Sequence, residues 1–225
     1  MNTFMNGLFN EQAFSLTVNG RNLLSVLMLP AHLAEFARGY LTTEAIISAA
    51  EIESIMIDRA TIGVLTRNPF KVLLPKRAVI SGCGGLVSYL DPTRLRVISA
   101  GISISIETLA IQFPRDILNA GGHCAAAVLL DGSIFVAGDL SQSVALDKAC
   151  GLLLRTNCSP TDAALIISSK PTADIIRKTI NAGFSILAAY LAPTAMAVEL
   201  AKTCRLTLVD ISHQKIYSGY ERIQK

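Results

Sequence analysis

The chain of 225 residues has no tryptophan, only three histidines, and charged side chains at only 16% of its positions. Its 20 basic and 17 acidic side chains leave a formal net charge of +3, and no basic run is interleaved with aromatic residues. Proteins that bind nucleic acid or anionic membranes through charge carry a larger and more clustered basic surface. The composition therefore disfavours nucleic acid and membranes as partners.

The five cysteines are widely spaced, and no C-x-x-C pair occurs among them. Such usage is typical of a reducing cytoplasm and not of a disulfide framework. The amino-terminus has neither a basic start nor a long apolar block, so no signal peptide is predicted. The most apolar segment, residues 183–201, is broken by Pro193 and contains Thr194 and Glu199, which predicts a buried strand and a helix. We expect a cytoplasmic protein without a membrane span.

Known nucleotide and zinc motifs are also absent. The glycines around residue 84 lack the third glycine of a dinucleotide fingerprint because position 87 is Val87, and no Gly-Lys-Ser/Thr occurs. A deaminase zinc site needs H-x-E and P-C-x-x-C, whereas His123-Cys124-Ala125 has no glutamate. No metal site is predicted, and a zinc hydrolase is the weakest of the functional readings.

One segment that is present stands out, Ser81-Gly82-Cys83-Gly84-Gly85-Leu86. Glycines permit close backbone approach and can turn N–H groups toward a thiolate, so the segment suits a loop that handles sulfur. The alternative is a tight turn whose cysteine is a small buried apolar residue. A nucleophile and base pairing of Cys83 with His123 also stays open, because such partners meet in space and not in sequence.

The residue pattern of the amino-terminal part predicts an α+β region, and the pattern of the remainder predicts an α/β layer. Asn19-Gly20 between two alternating runs predicts a hairpin, residues 31–41 have helical spacing, and a strand meander follows. The predicted strands of this region are Phe14–Val18, Leu23–Met28, Glu51–Asp58, Ala60–Leu65 and Phe70–Leu74. We place a boundary near residue 104, which gives regions 1–104 and 105–225.

In the second region, a helical pattern from Ile106 to Leu118 is interrupted by Pro114, and Asp131-Gly132 predicts another hairpin. Strands and helices then alternate, which indicates at least some parallel strands. The predicted elements are strands Ala125–Leu130 and Ser133–Ala137, helix Ser143–Leu154, strand Ala164–Ile167, helix Thr172–Asn181, strand Ser185–Ala188, helix Pro193–Thr203, strand Leu206–Val209 and an edge strand Lys215–Tyr217.

Seven short motifs follow one another in an order that resembles the FdhD family, the accessory sulfurtransferases of formate dehydrogenase. The similarity spans residues 11–223. The motifs are Val18-Asn19-Gly20, Gly39-Tyr40-Leu41-Thr42-Thr43-Glu44, Ser81-Gly82-Cys83-Gly84, Gly121-Gly122-His123, Ala145-Leu146-Asp147-Lys148, Ala192-Pro193-Thr194 and Leu206-Thr207-Leu208.

The resemblance implies a cytoplasmic homodimer that takes sulfur from a cysteine desulfurase as a persulfide. It implies that this sulfur passes to the bis-guanylyl molybdenum cofactor (bis-MGD) of formate dehydrogenase. The implied fold is a cytidine-deaminase-like three-layer α/β domain with a smaller amino-terminal α+β subdomain. The implied ligands are guanine nucleotides or the nucleotide end of the cofactor, and no permanent metal is expected.

The resemblance also assigns the site residues. Cys83 is expected to carry the sulfur. The expected cofactor-binding residues are Gly84, Gly121, Gly122, His123, Asp147, Lys148, Ser169, Lys170, Pro193 and Thr194.

The sequence departs from the family pattern at three places. Leu86 stands where the pattern S-x-C-G-x-C-G has its second cysteine, and Gln142 and Ser143 replace an Arg-His pair. Lys170 stands where an arginine is usual, so the charge is kept and the planar fork is lost. One thiolate is enough to carry a persulfide, but a resolving partner is missing. The alternative function is a chaperone that binds guanine nucleotide or molybdopterin cofactor and has lost sulfur transfer.

Overall fold

The computed structural model describes residues 4–5, 8–68, 77–79, 86–88 and 95–224. The predicted strand Phe70–Leu74 and the cysteine loop with Cys83 and Gly84 lie outside the described residues. The mixed α and β architecture is confirmed, because the described residues form six α-helices and several sheets. Among the described helices, none has the length and apolar character needed to cross a membrane.

The amino-terminal sheet is built on the predicted hairpin. Asn19 and Gly20 have φ angles of 50° and 76°, as the central residues of a type I′ turn require. The four strands lie in the order β4-β3-β6-β5, and β6 is parallel to β3, so the predicted meander is only partly right. The strands are β1 (Phe4–Met5) and β2 (Leu8–Phe9), which pair separately, then β3 (Gln12–Val18), β4 (Arg21–Met28), β5 (Ile52–Asp58) and β6 (Thr61–Thr66).

The first helix, α1 (Leu33–Thr43), connects β4 to β5 and covers one face of this sheet. It begins two residues later than predicted, because His32 lies in the left-handed region with φ 57° and cannot belong to the helix. Phe36 and Leu41 of the helix pack with Phe14 and Leu16 of β3 in one buried cluster. The helix therefore gives the sheet a core on one face.

The described residues between the two sheets form short strands and two short helices. Strands β7 (Arg77–Val79) and β8 (Leu86–Ser88) pair antiparallel and flank the cysteine loop in sequence. After β9 (Ile104–Ser105), the helical pattern is interrupted before Pro114, as predicted. Two short helices form, α2 (Ile106–Leu109) and α3 (Arg115–Asn119), and Pro114 precedes the second at the N-cap position, where its missing N–H removes no helical hydrogen bond.

The second region contains a six-stranded sheet, here called the central sheet, with strand order β11-β10-β12-β13-β14-β15. The predicted parallel strands and the predicted closing edge strand are confirmed. Its elements are β10 (His123–Leu129), β11 (Ile134–Asp139), α4 (Gln142–Arg155), β12 (Ala163–Ile167), α5 (Ala173–Ala182), β13 (Ile186–Ala189), α6 (Ala195–Thr203), β14 (Thr207–Asp210) and β15 (Lys215–Ser218). A final strand, β16 (Ile223–Gln224), pairs with β9.

Both faces of the central sheet are buried, as expected for parallel strands that read as continuous apolar runs. On one face, Leu165 and Leu187 pack with residues of α4, α5 and α6. On the other face, Ile166 and Ile186 pack with Leu109 and Phe113 of the preceding segment. The inner strands β10, β12, β13 and β14 are therefore packed from two sides, which holds the loops at their ends in place.

Helix α1 also packs directly on α4, and this contact joins the two regions. At the crossing, Gly39 of α1 and Gly151 of α4 have no side chain. A Cβ on Gly39 would lie 1.8 Å from the carbonyl oxygen of Asp147, and one on Gly151 would lie 1.8 Å from that of Glu35. The two helix backbones therefore touch, at a distance that only glycine allows.

Candidate functional site

One edge of the central sheet collects the ends of four strands. Strands β12, β13 and β14 are parallel, and β11 runs in the same direction because both β11 and β12 are antiparallel to β10. All four therefore end at one edge, here called the carboxyl edge, where β10 begins. Ligands of open α/β sheets bind at this edge.

Three helices begin at the same edge. Helices α4, α5 and α6 follow β11, β12 and β13, so the N–H groups of their first turns point toward the space above the carboxyl edge. No side chain caps the first turn of α4 or α5, whereas Thr194 caps α6 by accepting from the N–H of Ala197 at 3.2 Å. Uncapped N–H groups and the positive end of the helix dipole favour an anionic ligand.

The carboxyl edge also brings together most of the residues assigned by the resemblance. We call this group, with Gln142, the carboxyl-edge site. It consists of Gly121, Gly122 and His123 at the start of β10, Gln142 at the start of α4, Ser169 and Lys170 after β12, and Pro193 and Thr194 after β13.

Hydrogen bonds between neighbouring loops hold this group in place. Ser168 accepts the N–H of Cys124 at 2.9 Å, which ties the β12 loop to β10. Gln142 donates to the carbonyl of Lys170 at 2.8 Å, which ties α4 to the same loop. Thr194 donates its N–H to the carbonyl of Pro171 at 3.1 Å. The loops therefore form one connected platform.

Ser169 is the most informative residue of the site. It is only 4% exposed, and its hydroxyl has no hydrogen-bond partner among the described residues. A buried polar group without a partner destabilises a fold by about 1–3 kcal/mol. Because Ser169 lies at the carboxyl edge, a ligand bound there can supply the missing partner.

The start of β10 is shaped by its glycines. Gly121 has a φ of 83°, which favours glycine, and a Cβ on Gly122 would lie 2.8 Å from the side chain of Ile117. His123 follows, half-buried, opposite Asp139 of β11. Burial lowers the pKa of His123, and the nearby charge of Asp139 partly opposes this shift. A neutral imidazole therefore borders the site at neutral pH.

Asp147 and Lys148 lie inside the protein and not on the carboxyl edge. Lys148 is 0% exposed and donates to Asp139 at 2.6 Å and to the carbonyl of Leu29 at 2.8 Å. Asp139 also accepts the N–H groups of Leu29 and Ser141, so this ion pair supports the loop that begins α4. Their side chains are buried behind the site and hold the elements that form it. The cofactor contact assigned to Asp147 and Lys148 stays a prediction.

Asp147 belongs to a buried charged network that the sequence did not predict. Its carboxylate accepts from Lys178 at 2.7 and 2.9 Å and from the Thr43 hydroxyl at 2.6 Å. Lys178 also lies 3.0 Å from Glu44, which pairs with Arg177 at 2.8 Å. Burial raises the pKa of Asp147 to about 6, although Lys178 and Thr43 favour its charged form. The network joins α1, α4 and α5.

Three of the four described cysteines do not resemble sulfur carriers. Burial raises the pKa of Cys124 to about 11, and it also raises the pKa values of Cys150 and Cys204. None of these three thiols forms a thiolate near neutral pH, and the thiolate is the reactive form. In the part of the chain that the structure describes, no three His, Cys, Asp or Glu side chains come together to hold a metal ion.

The fold and the site define an α/β protein that gathers hydrogen-bond donors suited to an anionic ligand above the ends of its parallel strands. Comparison with known proteins specifies it further. A sequence model of the FdhD/NarQ family matches residues 9–224, and the chain belongs to this family.

Individual relatives are similar along most of their length. The sulfur carrier protein FdhD of Geobacillus kaustophilus is 28% identical, over 96% of this chain and 92% of the relative. The sulfur carrier protein FdhD of Bordetella parapertussis is 29% identical, over 95% of this chain and 86% of the relative. A crystal structure from Desulfotalea psychrophila, described as a formate dehydrogenase accessory protein, matches with a TM-score of 0.74. It covers 96% of this chain and 90% of its own, and at 21% identity it shows the same fold.

Proposed function

We propose that this protein is a sulfur carrier for formate dehydrogenase that holds sulfur as a persulfide on Cys83. In this proposal, the Cys83 thiolate attacks the outer sulfur of a persulfide on a cysteine desulfurase, and the donor cysteine leaves as a thiolate. The acceptor is the bis-MGD molybdenum cofactor, which is the substrate of the protein and not a resident group. The proposal includes a cytoplasmic homodimer and a cytidine-deaminase-like arrangement of the second region.

The observation that carries the proposal is the carboxyl-edge site. Its donors are the uncapped first turns of α4 and α5, the unpartnered Ser169 hydroxyl and the exposed ammonium of Lys170. N–H groups, hydroxyls and ammonium groups are the donors that bind phosphate oxygens. They fit the diphosphate of a guanine nucleotide, and the nucleotide end of bis-MGD carries the same group.

Persulfide loading tests the role of Cys83. After incubation with a cysteine desulfurase and cysteine, we expect the intact mass to increase by one sulfur atom. Cys83→Ala should take up no sulfur, whereas Cys158→Ala should load like the wild type. Cys158 is the matched control because it is half-buried and lies outside the carboxyl-edge site. Unchanged loading of Cys83→Ala would contradict the proposal.

Replacing Ser169 by alanine tests the site through two effects of opposite sign. The free energy of unfolding should stay unchanged or rise by about 1 kcal/mol, because an unsatisfied buried hydroxyl is removed. The affinity for GDP, measured by calorimetry, should fall about fivefold, because a hydrogen bond to the ligand is lost.

Ser185→Ala is the matched control for this substitution. Ser185 is also buried and without a hydrogen-bond partner among the described residues, but it precedes β13 at the opposite edge of the sheet. We expect the same small effect on stability and no change in GDP affinity. Equal GDP affinities of wild type and Ser169→Ala would remove Ser169 from the binding site.

The second candidate function is the chaperone that binds nucleotide or cofactor and does not transfer sulfur. It is favoured by Leu86, Gln142 and Ser143, which replace the second cysteine and the Arg-His pair of the family pattern. The two functions differ in one measurement, since the chaperone binds GDP and takes up no persulfide sulfur.

A further inference from the structure

The end of β14 carries a carboxylate and imidazole pair. Asp210 is the last residue of the strand and is 1% exposed, whereas the side chain of His213 is 72% exposed. The Nδ1 atom of His213 lies 2.9 Å from one carboxylate oxygen, and the N–H of His213 donates to the other at 3.1 Å. A buried carboxylate thus holds His213 by two hydrogen bonds, one to the imidazole ring and one to the backbone N–H.

This arrangement fixes which ring nitrogen faces outward. A carboxylate only accepts hydrogen bonds, so Nδ1 carries the hydrogen. In the neutral ring, Nε2 then has a free lone pair, and the exposed ring presents it to solvent. The pair therefore presents one oriented acceptor for a hydroxyl or N–H donor of a ligand.

The turn that carries His213 is attached to the carboxyl-edge site. Asp210 lies beside Ala189 in the parallel pairing of β13 and β14. Ile211 donates its N–H to the carbonyl of Ala189 at 2.8 Å, and Ser212 donates its hydroxyl to the carbonyl of Tyr190 at 2.8 Å. Tyr190 begins the loop that leads to Pro193 and Thr194, so the turn and this loop are held together.

The distances suit a nucleotide. Neighbouring strands are about 4.8 Å apart, so the ends of β12 and β14 are about 10 Å apart along the carboxyl edge. A diphosphate above the first turn of α5, beside Ser169, leaves its nucleoside within reach of the end of β14. The ribose hydroxyls and the base N–H groups are the donors that Nε2 can accept.

A role in the turn alone does not account for the charge of Asp210. An asparagine can form the same turn, because its side-chain oxygen also accepts a backbone N–H. Among the described residues, both hydrogen bonds to the Asp210 carboxylate come from His213. Burying a carboxylate carries a desolvation penalty that a neutral amide largely avoids. What the carboxylate adds is control of the imidazole.

We propose that His213 contacts the nucleoside part of a nucleoside diphosphate bound at the carboxyl-edge site, and that Asp210 is its positioning residue. The inference rests on the proposed function, because it needs a nucleotide at this edge. It adds a residue that the family motifs quoted above do not include, and it extends the site by one strand.

Histidine NMR separates this contact from a structural role, since the chain has only three histidines, His32, His123 and His213. In protein labelled with 15N-histidine, we expect His213 in the Nδ1–H form, with Nε2 shifting when GDP is added. Asp210→Asn should change the His213 tautomer, because the amide can donate to Nδ1. Asp210→Asn and His213→Gln should each lower GDP affinity about fivefold, the effect of one neutral hydrogen bond.

His32→Gln is the control, because His32 is exposed and precedes α1 away from the carboxyl edge. It should leave GDP affinity unchanged. GDP binding with an unshifted His213 and an unaltered affinity of His213→Gln would overturn the inference and leave the proposed function standing. No GDP binding by the wild type would overturn nucleotide binding at this edge and the inference with it.

Discussion

Gly39→Ala and Gly151→Ala are each expected to lower the free energy of unfolding by about 3 kcal/mol or more. Helix propensity alone gives the opposite sign, because alanine is favoured over glycine in a helix by about 1 kcal/mol. The clash is the larger effect. The added methyl would lie 1.8 Å from a backbone oxygen of the other helix, and backbone atoms cannot rotate away as a side chain does.

Urea unfolding followed by circular dichroism measures this effect. Gly63→Ala in β6 is the matched control, because its Cβ would meet no atom closer than 3.7 Å. We expect the control to change the free energy of unfolding by less than about 1 kcal/mol. A Gly39→Ala protein as stable as the control would show that α1 and α4 are farther apart than described.

Lys178→Met is expected to lower the free energy of unfolding by about 3–5 kcal/mol, because it leaves the carboxylate of Asp147 buried without its cation. Lys178 and Asp147 are 3% and 1% exposed in their side chains, so water cannot replace the lost partner. The double substitution Lys178→Met with Asp147→Leu should recover much of the loss, since no unpaired charge remains.

The stability of Lys178→Met should also depend on pH. Burial already raises the pKa of Asp147 from 3.8 to about 6, and loss of Lys178 removes the charge that lowers it. The folded variant therefore binds a proton more readily than the unfolded chain, so its stability falls as pH rises and recovers as pH falls. The difference from wild type should be larger near about pH 8 than near about pH 5.

Arg155→Met is the control for the buried pair. Arg155 bonds Glu35 at 2.8 Å, but its side chain is 60% exposed. Exposed pairs contribute less than about 1 kcal/mol, so we expect a small loss with little pH dependence. A similar loss for Lys178→Met and Arg155→Met would contradict the buried network.

Local patterns predicted most strands and helices of this fold because each pattern has one local cause. Asn19-Gly20 between two alternating runs favours a hairpin turn, and Gly183 ends α5 in the left-handed conformation that glycine favours at a helix C-terminus. The pairing of β6 with β3 was not predictable, since no local pattern records which strand a distant strand joins. The division at residue 104 stays a prediction.

The residues of the candidate site could be predicted only where they belong to motifs of the family. Gly121, Gly122, His123, Ser169, Lys170, Pro193 and Thr194 do meet at the carboxyl edge. Two features of the site depend on burial, which a sequence does not show. They are the unpartnered hydroxyl of Ser169 and the hydrogen-bonded pair of Asp210 and His213. The adjacent Asp147 and Lys148 could not be assigned to separate buried networks, because their partners lie on other helices and strands of the fold.

The contact between α1 and α4 forms late during synthesis, because the two helices are far apart in the sequence. The hydrogen-bond partner of Leu29 is Asp139, which is synthesised 110 residues later. The partner of Thr43 is Asp147, which is synthesised 104 residues later. The amino-terminal strands therefore leave the ribosome well before the helix that completes their packing exists. During that interval the face of α1 that packs on α4 is exposed, and exposed surface of this kind promotes association between unfinished chains.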